Sequence, residues 1–253
     1  MRDLRQRLGR EEFDYQALMA ALSEYANPRD KVTVLLRRGD IIRVKKGLYV
    51  FGNGYRRFPY SKELLANLIY GPSYVSLDYA LAYHGLIPER IEALTSVTVG
   101  KSKRFSTPAG LFIYRQIPAR AYEVGAVRVE ADHEQAFLIA SPEKALADKI
   151  VSVRGGPIVS IAEMGRFLES DLRVDAGALR PLSAERIDDA AQEGFPNGSL
   201  EDAPRSAHFV AFLHGVQVAP VLEVLVLVVL GVGDVPFPDL DVEILGIERH
   251  HTA

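Results

Sequence analysis

The side chains best suited to binding a ligand in this 253-residue chain are the basic ones between positions 27 and 57. That stretch contains nine lysines and arginines against two aspartates, which gives a net charge of +7. Cations gathered on one face release counterions from a nucleic-acid backbone, and this release supplies most of the non-specific affinity for DNA. The composition therefore favours a phosphate-binding surface, with a solvated basic face as the alternative interpretation.

A helix is expected to carry the first half of this cluster. Asn27 and Pro28 suit its start and Gly39 its left-handed end, while Val32 and Leu35 recur at helical spacing. Such a helix fits the major groove of DNA, with its middle residues reading base edges and its flanks binding phosphates. The DNA-binding residues predicted on it are Arg29, Lys31, Thr33, Arg37 and Arg38, with Arg37 the candidate for a base contact.

A basic hairpin is expected next. The hydrophobic pattern switches to period two after Asp40, and Lys46-Gly47 occupies the place of a two-residue turn. Arg43, Lys45 and Lys46 are predicted to lie over neighbouring DNA backbone. A helix over 14–25 precedes these elements, and helix, helix and hairpin is the order of a winged helix-turn-helix.

The predicted fold class is α+β, with an N-terminal winged helix-turn-helix followed by a mixed α/β domain. The winged helix spans 10–53, with a boundary at Gly52–Arg57, and the second domain spans 60–192. Its hydrophobic patterns predict helices at 61–70, 76–84, 160–169 and 183–192 and from Ser141, and strands at 93–99, 111–117, 124–130 and 135–140.

Charge is distributed unevenly along the chain. Residues 1–120 carry 20 basic and 11 acidic side chains, whereas residues 121–253 carry 10 basic and 22 acidic ones.

The last segment, residues 194–253, is acidic and rich in valine and leucine. Its apolar run from Val216 to Gly233 is 18 residues long and contains Pro220 and Glu223, whereas a spanning helix needs about 20 predominantly apolar residues. An ordered strand, an aggregation-prone segment or a shifted reading frame fits it better than a membrane span. The charged N-terminus lacks the apolar stretch of a signal peptide, so we expect a cytoplasmic protein without a membrane partner.

Enzymatic and metal chemistry have little support in the sequence. The chain has no cysteine, and its six histidines show no zinc-type spacing. Gly100-Lys101-Ser102 ends like a nucleotide-binding loop, but Thr95 stands where that motif needs its first glycine. We therefore expect no catalytic residue, no cofactor and no metal, and interpret Lys101, Lys103 and Arg104 as either a second basic patch or a solvated turn.

Four stretches together resemble one known family, the AbiEi antitoxins of the AbiE (type IV) toxin–antitoxin systems. They are LRRGDIIRVKKGLYV (36–50), YVSLDYAL (74–81), TSVT (95–98) and SPEKALADK (141–149), and the resemblance covers roughly residues 10–192. The first stretch is common to many winged helices, so the specificity comes from its combination with the later ones. The acidic tail departs from the helical, often basic continuation that is usual in the family.

The resemblance implies an autorepressor that binds the promoter DNA of its own operon. It also implies an antitoxin domain that opposes a nucleotidyltransferase-like toxin in phage defence, without a stable complex between the two proteins. Three alternatives remain: a protein-interaction module whose winged helix does not bind DNA, an enzyme built on Asp78, Asp132 or Asp148, and a membrane-tethered regulator. The tyrosine-rich segment 73–86 is either an interface or a packed helix.

Overall fold

The computed structural model describes residues 2–131, 135–152, 161–174, 176–183 and 186. Within these residues the chain is a mixed α+β protein with a three-stranded and a six-stranded sheet. The tail from residue 194 onwards, Asp132 and most of the predicted helix over 183–192 lie outside the described residues.

The N-terminal unit holds the predicted helix, helix and hairpin, preceded by two elements that the sequence pattern did not indicate. Its elements are α1 (Arg2–Leu8), β1 (Glu12–Asp14), α2 (Tyr15–Ala21), α3 (Pro28–Arg38), β2 (Ile41–Lys45) and β3 (Leu48–Phe51). β3 pairs antiparallel with both β1 and β2, so the sheet order is β1-β3-β2. Leu4 of α1 is buried in the core of this unit, which therefore begins before residue 10.

Local capping fixes where the two middle helices begin and end. The Asp14 carboxylate accepts a hydrogen bond from the Ala17 amide at 2.7 Å, which caps α2. Asn27 stands at the N-cap of α3 but its side chain makes no capping bond. Gly39 ends α3 with φ of 72°, and a Cβ on Gly52 would lie 1.8 Å from the Gly39 carbonyl oxygen, so the helix end packs closely against the end of β3.

β3 is buried on both faces, which explains why all four of its residues are apolar. Successive side chains of a strand point to opposite faces. Tyr49 and Phe51 belong to the core of the N-terminal unit, together with Leu18 and Leu35, whereas Leu48 and Val50 join the core of the following unit. The hairpin is therefore a wall shared by the two units.

The second unit is built on the six-stranded sheet. Its elements are α4 (Lys62–Ile69), β4 (Ser73–Val75), α5 (Leu77–Tyr83), β5 (Leu94–Thr98), β6 (Lys103–Thr107), β7 (Gly110–Gln116), α6 (Ala119–Glu123), β8 (Ala126–Glu130), β9 (Ala136–Ala140), α7 (Pro142–Ser152), α8 (Ile161–Arg166), a π-helical turn at Phe167–Asp171, and α9 (Ala176–Leu179). The four predicted strands and the helices predicted up to residue 169 are confirmed. The helix predicted over 160–169 is present as α8 followed by the π-helical turn. β4 and α6 were not predicted.

The strand order of this sheet is β6-β7-β5-β4-β9-β8. β4 pairs in parallel with β9 and β5 in parallel with β7, and the remaining pairs are antiparallel. β6 and β8 are thus the two opposite edges of the sheet. α5 packs against both β5 and α7, which brings the YVSLDYAL and SPEKALADK stretches together in the core.

Two buried carboxylates tie the units to each other. Glu11 accepts hydrogen bonds from the backbone amides of Arg57 and Phe58, and Glu12 accepts one from the amide of Ser61 at 2.8 Å. Glu12 also accepts the side-chain amide of Gln135, which follows β8 in the second unit. The connection between the units is therefore anchored to Glu11 and Glu12 at three of its residues, and Gln135 adds a contact from the second unit.

The stability of this junction is expected to depend on pH. Burial raises the pKa of the Glu12 carboxyl above its ordinary value of 4.5, although the bonds from Ser61 and Gln135 act in the opposite direction. The stability contributed by the Glu12 carboxyl is therefore fully present below about pH 4.5. It is lost as the pH rises through the higher pKa that this carboxyl has in the folded protein. Glu12→Gln, which keeps an oxygen for Ser61, should gain stability relative to the wild-type protein as pH increases, measured by urea unfolding. A stability difference that stays constant with pH would contradict this.

Candidate nucleic-acid interface

The outer face of α3 carries arginines that the fold leaves available. Arg29, Thr33 and Arg37 are exposed, while Val32 and Leu35 on the opposite side are buried. Among the described residues, neither Arg29 nor Arg37 has an ion-pair partner. The Thr33 hydroxyl donates a hydrogen bond to the Arg29 carbonyl at 3.2 Å, and this bond holds the Thr33 side chain against the helix. The predicted division of α3 into a buried and a basic exposed face is present in the structure.

Two further cations on α3 have intramolecular contacts. The Lys31 ammonium lies 4.8 Å from the centroid of the Tyr25 ring, and Lys31 is half-buried. Arg38 Nε lies 3.6 Å from the Asp40 carboxylate, but the Arg38 side chain keeps 64% of its exposure. An exposed pair of this kind contributes little free energy, so Arg38 remains available to a stronger anionic partner. Lys31 is the more constrained of the two.

The hairpin presents its predicted cations unequally. Arg43 and Lys46 are exposed, with Lys46 at the turn between β2 and β3. A bulge between Arg43 and Lys45 shifts the strand register, and the Lys45 ammonium donates a hydrogen bond to the Ile69 carbonyl at the end of α4. Lys45 therefore joins the hairpin to the second unit. Sequence spacing alone offers no signal for this contact, because its partner lies 24 residues away.

A second basic region adjoins the hairpin on the six-stranded sheet. Residues 94–120 contain five basic side chains and no acidic one. Lys103 and Arg104 are exposed on the edge strand β6. The Lys103 ammonium lies 4.4 Å from the Tyr70 ring centroid, and that ring lies 5.9 Å from the ring of Phe105, which also faces the Lys45 ammonium. Aromatic and cationic side chains thus connect the two basic regions.

This arrangement also bears on the sequence that resembles a nucleotide-binding loop. Gly100-Lys101-Ser102 leads into the strand β6 and not into a helix. A phosphate loop needs the free N-terminus of a helix to bind its anion. This segment is therefore a turn followed by a strand, without the helix that a phosphate loop requires.

A buried ionic network occupies the centre of the second unit. Lys144 and Asp148, one turn apart on α7, form an ion pair at 2.8 Å with side-chain exposures of 1% and 2%. The carboxylate of Asp148 accepts the Ser76 hydroxyl at 2.7 Å and the Tyr74 hydroxyl at 3.2 Å. Burial raises the pKa of Asp148, against the opposing effects of Lys144, Ser76 and Tyr74. Burial, reinforced by the charge of Asp148, also raises the pKa of Tyr74.

Asp78 and Asp148 both form ion pairs. They are the two carboxylates within the described residues on which the enzyme alternative depends. Asp148 pairs with Lys144, and Asp78 pairs with Lys149 on the neighbouring surface of α7. Leu77, the first residue of α5 and part of the YVSLDYAL stretch, is buried with φ of 59°, a conformation that non-glycine residues adopt only when the surroundings enforce it. The pair between Asp78 and Lys149 joins α5 to α7. These contacts favour a supporting role for the YVSLDYAL and SPEKALADK stretches.

An open cleft of about 850 Å³ lies beside α5. Its walls combine aromatic, apolar and oppositely charged side chains, among them Lys62, Tyr79, Tyr83, Glu89, Arg90 and Ile91. The Tyr79 hydroxyl donates to the Glu63 carboxylate, and burial raises the pKa of Tyr79. His84 lies just after α5, with Nε2 2.8 Å from the Ala140 carbonyl oxygen. No group of three or more potential metal ligands occurs in the described part of the chain.

The sequence matches no known family model, and no curated protein shows significant similarity to it. Across the described ranges, none of the helices has both the length and the apolar character needed to cross a membrane.

Proposed function

We propose that this chain is a DNA-binding transcriptional autorepressor whose N-terminal unit is a winged helix-turn-helix. The observation that carries the proposal is the outer face of α3, where Arg29 and Arg37 stand exposed without ion-pair partners among the described residues. The element order α1, β1, α2, α3 and the β2–β3 hairpin supports a winged helix, with α3 as the groove helix. Arg43 and Lys46 extend this surface along the hairpin.

The basic edge of the six-stranded sheet continues the same surface in this proposal. Because Glu11 and Glu12 hydrogen-bond across the junction, we expect Lys103 and Arg104 to hold their position relative to α3. A rigid arrangement of cations loses less conformational entropy on binding than one that must be ordered. The second unit then adds phosphate contacts beyond those of the winged helix.

The test is the salt dependence of binding to the DNA upstream of the gene that encodes this chain. If about five phosphates are neutralised, the logarithm of the affinity should fall with the logarithm of salt concentration with a slope of about −4.5. Fluorescence anisotropy with a labelled upstream duplex and an unrelated duplex of equal length gives both the slope and the preference. Absence of binding at low salt, or equal affinity for both duplexes, would contradict the proposal.

For the second unit we propose antitoxin activity against a nucleotidyltransferase-like toxin of an AbiE-like phage-defence system. Its support is the resemblance of the YVSLDYAL and SPEKALADK stretches, which the fold packs together as α5 and α7. If a nucleotidyltransferase-like reading frame adjoins this gene, its expression alone should arrest growth and co-expression of this chain should restore it. Growth arrest that persists with the full chain present would contradict the antitoxin proposal and leave DNA binding unaffected.

A non-catalytic interaction module is the second candidate. It is favoured by the contacts of Lys45 with Ile69 and of Lys31 with Tyr25, which engage two of the predicted DNA-binding cations within the chain. Such a module would bind an acidic protein surface and show no preference between duplexes. The anisotropy experiment therefore separates the two candidates.

A further inference from the structure

One residue on the outer face of α3 does not fit a purely phosphate-binding surface. Val34 is 38% exposed and belongs to neither buried core. Residues three and four apart are neighbours on a helix, so Val34 lies beside Asp30, Arg37 and Arg38. It is an apolar side chain in the middle of an otherwise polar and basic face.

Helix stability does not explain this valine. A β-branched residue loses side-chain freedom in a helix, and alanine or lysine at an exposed position would stabilise α3 better. The buried side of α3 is already occupied by Val32 and Leu35, whose exposures are 6% and 1%. What Val34 offers is a branched apolar surface directed away from the fold.

The major groove of DNA presents one apolar group of matching size, the C5-methyl group of thymine. We propose, on the basis of the DNA-binding function above, that Val34 contacts a thymine methyl group in the operator. Arg37 lies three residues further along α3, about 4.5 Å along the helix axis at 1.5 Å per residue. That distance is close to one base-pair step of about 3.4 Å. A groove helix that presents both side chains to the bases would therefore contact nearby base pairs with Val34 and Arg37, the latter with its fork directed at a guanine.

Deoxyuridine tests this inference, because it differs from thymidine only by the absent methyl group. Each thymidine of the bound upstream duplex is replaced in turn, and affinity is measured by anisotropy for the wild-type protein and for Val34→Ala. At one position the replacement should weaken wild-type binding about fourfold, the equivalent of one methyl-sized group withdrawn from water. Val34→Ala should bind the thymidine duplex about fourfold more weakly and show no further loss with deoxyuridine at that position.

Val127→Ala is the matched control. Val127 is 40% exposed on β8, at the edge of the six-stranded sheet opposite to β6, and the substitution removes the same two methyl groups. This variant should retain both wild-type affinity and the sensitivity to deoxyuridine. Wild-type binding that tolerates deoxyuridine at every position, or equal sensitivity in Val34→Ala, would overturn the role of Val34 while DNA binding stands. Absence of steep, salt-dependent binding in all three proteins would overturn the proposed function itself.

Discussion

Replacing Lys144 with methionine is expected to lower the free energy of unfolding by about 3–5 kcal/mol, since removal of one partner of a buried ion pair leaves an uncompensated charge. Methionine fills a similar volume, so cavity formation contributes little to the loss. The pair it breaks is almost inaccessible to water, with both side chains at or below 2% exposure. Asp148 would keep only the hydroxyls of Ser76 and Tyr74 as donors. Urea unfolding followed by circular dichroism measures the change.

A second variant separates the unpaired charge from a general loss of packing. Lys144→Met combined with Asp148→Asn has no charge at either position, and the asparagine oxygen still accepts the bonds from Ser76 and Tyr74. We expect it to recover most of the stability lost in the single variant, because neutral replacements of a buried pair are often tolerated. Arg128→Met breaks the exposed pair with Glu130 and should cost less than about 1 kcal/mol. A Lys144→Met variant as stable as Arg128→Met would refute the structural role of the network.

The sequence predicted α3 and the hairpin well because their signals are local. Pro28 and Gly39 mark the ends of α3, and the change from helical spacing to period two marks β2. α1 escaped prediction because its seven residues contain only two leucines among charged and amide side chains, too few to show a period. β1, with three residues, is too short for any alternation to be recognised.

Features that depend on contacts between distant residues were not predictable in this way. Nothing in the local sequence indicated that Lys144 and Asp148 form a buried pair, yet almost every residue at the start of α7 is buried, since the helix packs within the core of the second unit. Lys45 shows the same limit, because its carbonyl partner is supplied by the end of α4. Charge pattern identifies which cations exist, and the tertiary structure determines which of them remain available to a ligand.

The largest effect on DNA binding is expected from the triple variant Arg37→Ala, Arg43→Ala, Lys46→Ala. Arg43 and Lys46 are each expected to neutralise one phosphate, so the salt slope should become less steep by about 1.8. At an ionic strength of about 0.15 M this relation gives roughly a 30-fold weaker affinity, and loss of the Arg37 base contact should weaken binding to the upstream duplex by about a further 10-fold. Lys45 is retained in this variant because its bond to Ile69 links the two units, and its loss would combine a change in stability with a change in binding.

A control with the same change in net charge distinguishes a localised interface from general attraction. Arg90, Arg128 and Arg166 are exposed cations of the second unit, outside α3, the β2–β3 hairpin and β6. Their replacement by alanine should change DNA affinity only a few-fold. Equal losses in the two triple variants would show that no particular face of the protein binds DNA.

Single substitutions then separate the two kinds of contact within the proposed interface. A phosphate contact carries no sequence information, so Lys46→Ala should weaken binding to the upstream and unrelated duplexes by the same factor. A base contact adds discrimination, so Arg37→Ala should reduce the preference for the upstream duplex by about 10-fold or more, within the 1–3 kcal/mol typical of an arginine that reads guanine. An unchanged preference in Arg37→Ala would make Arg37 another phosphate ligand, and sequence reading would have to come from the remaining exposed residues of α3, Asp30, Thr33 and Val34 among them.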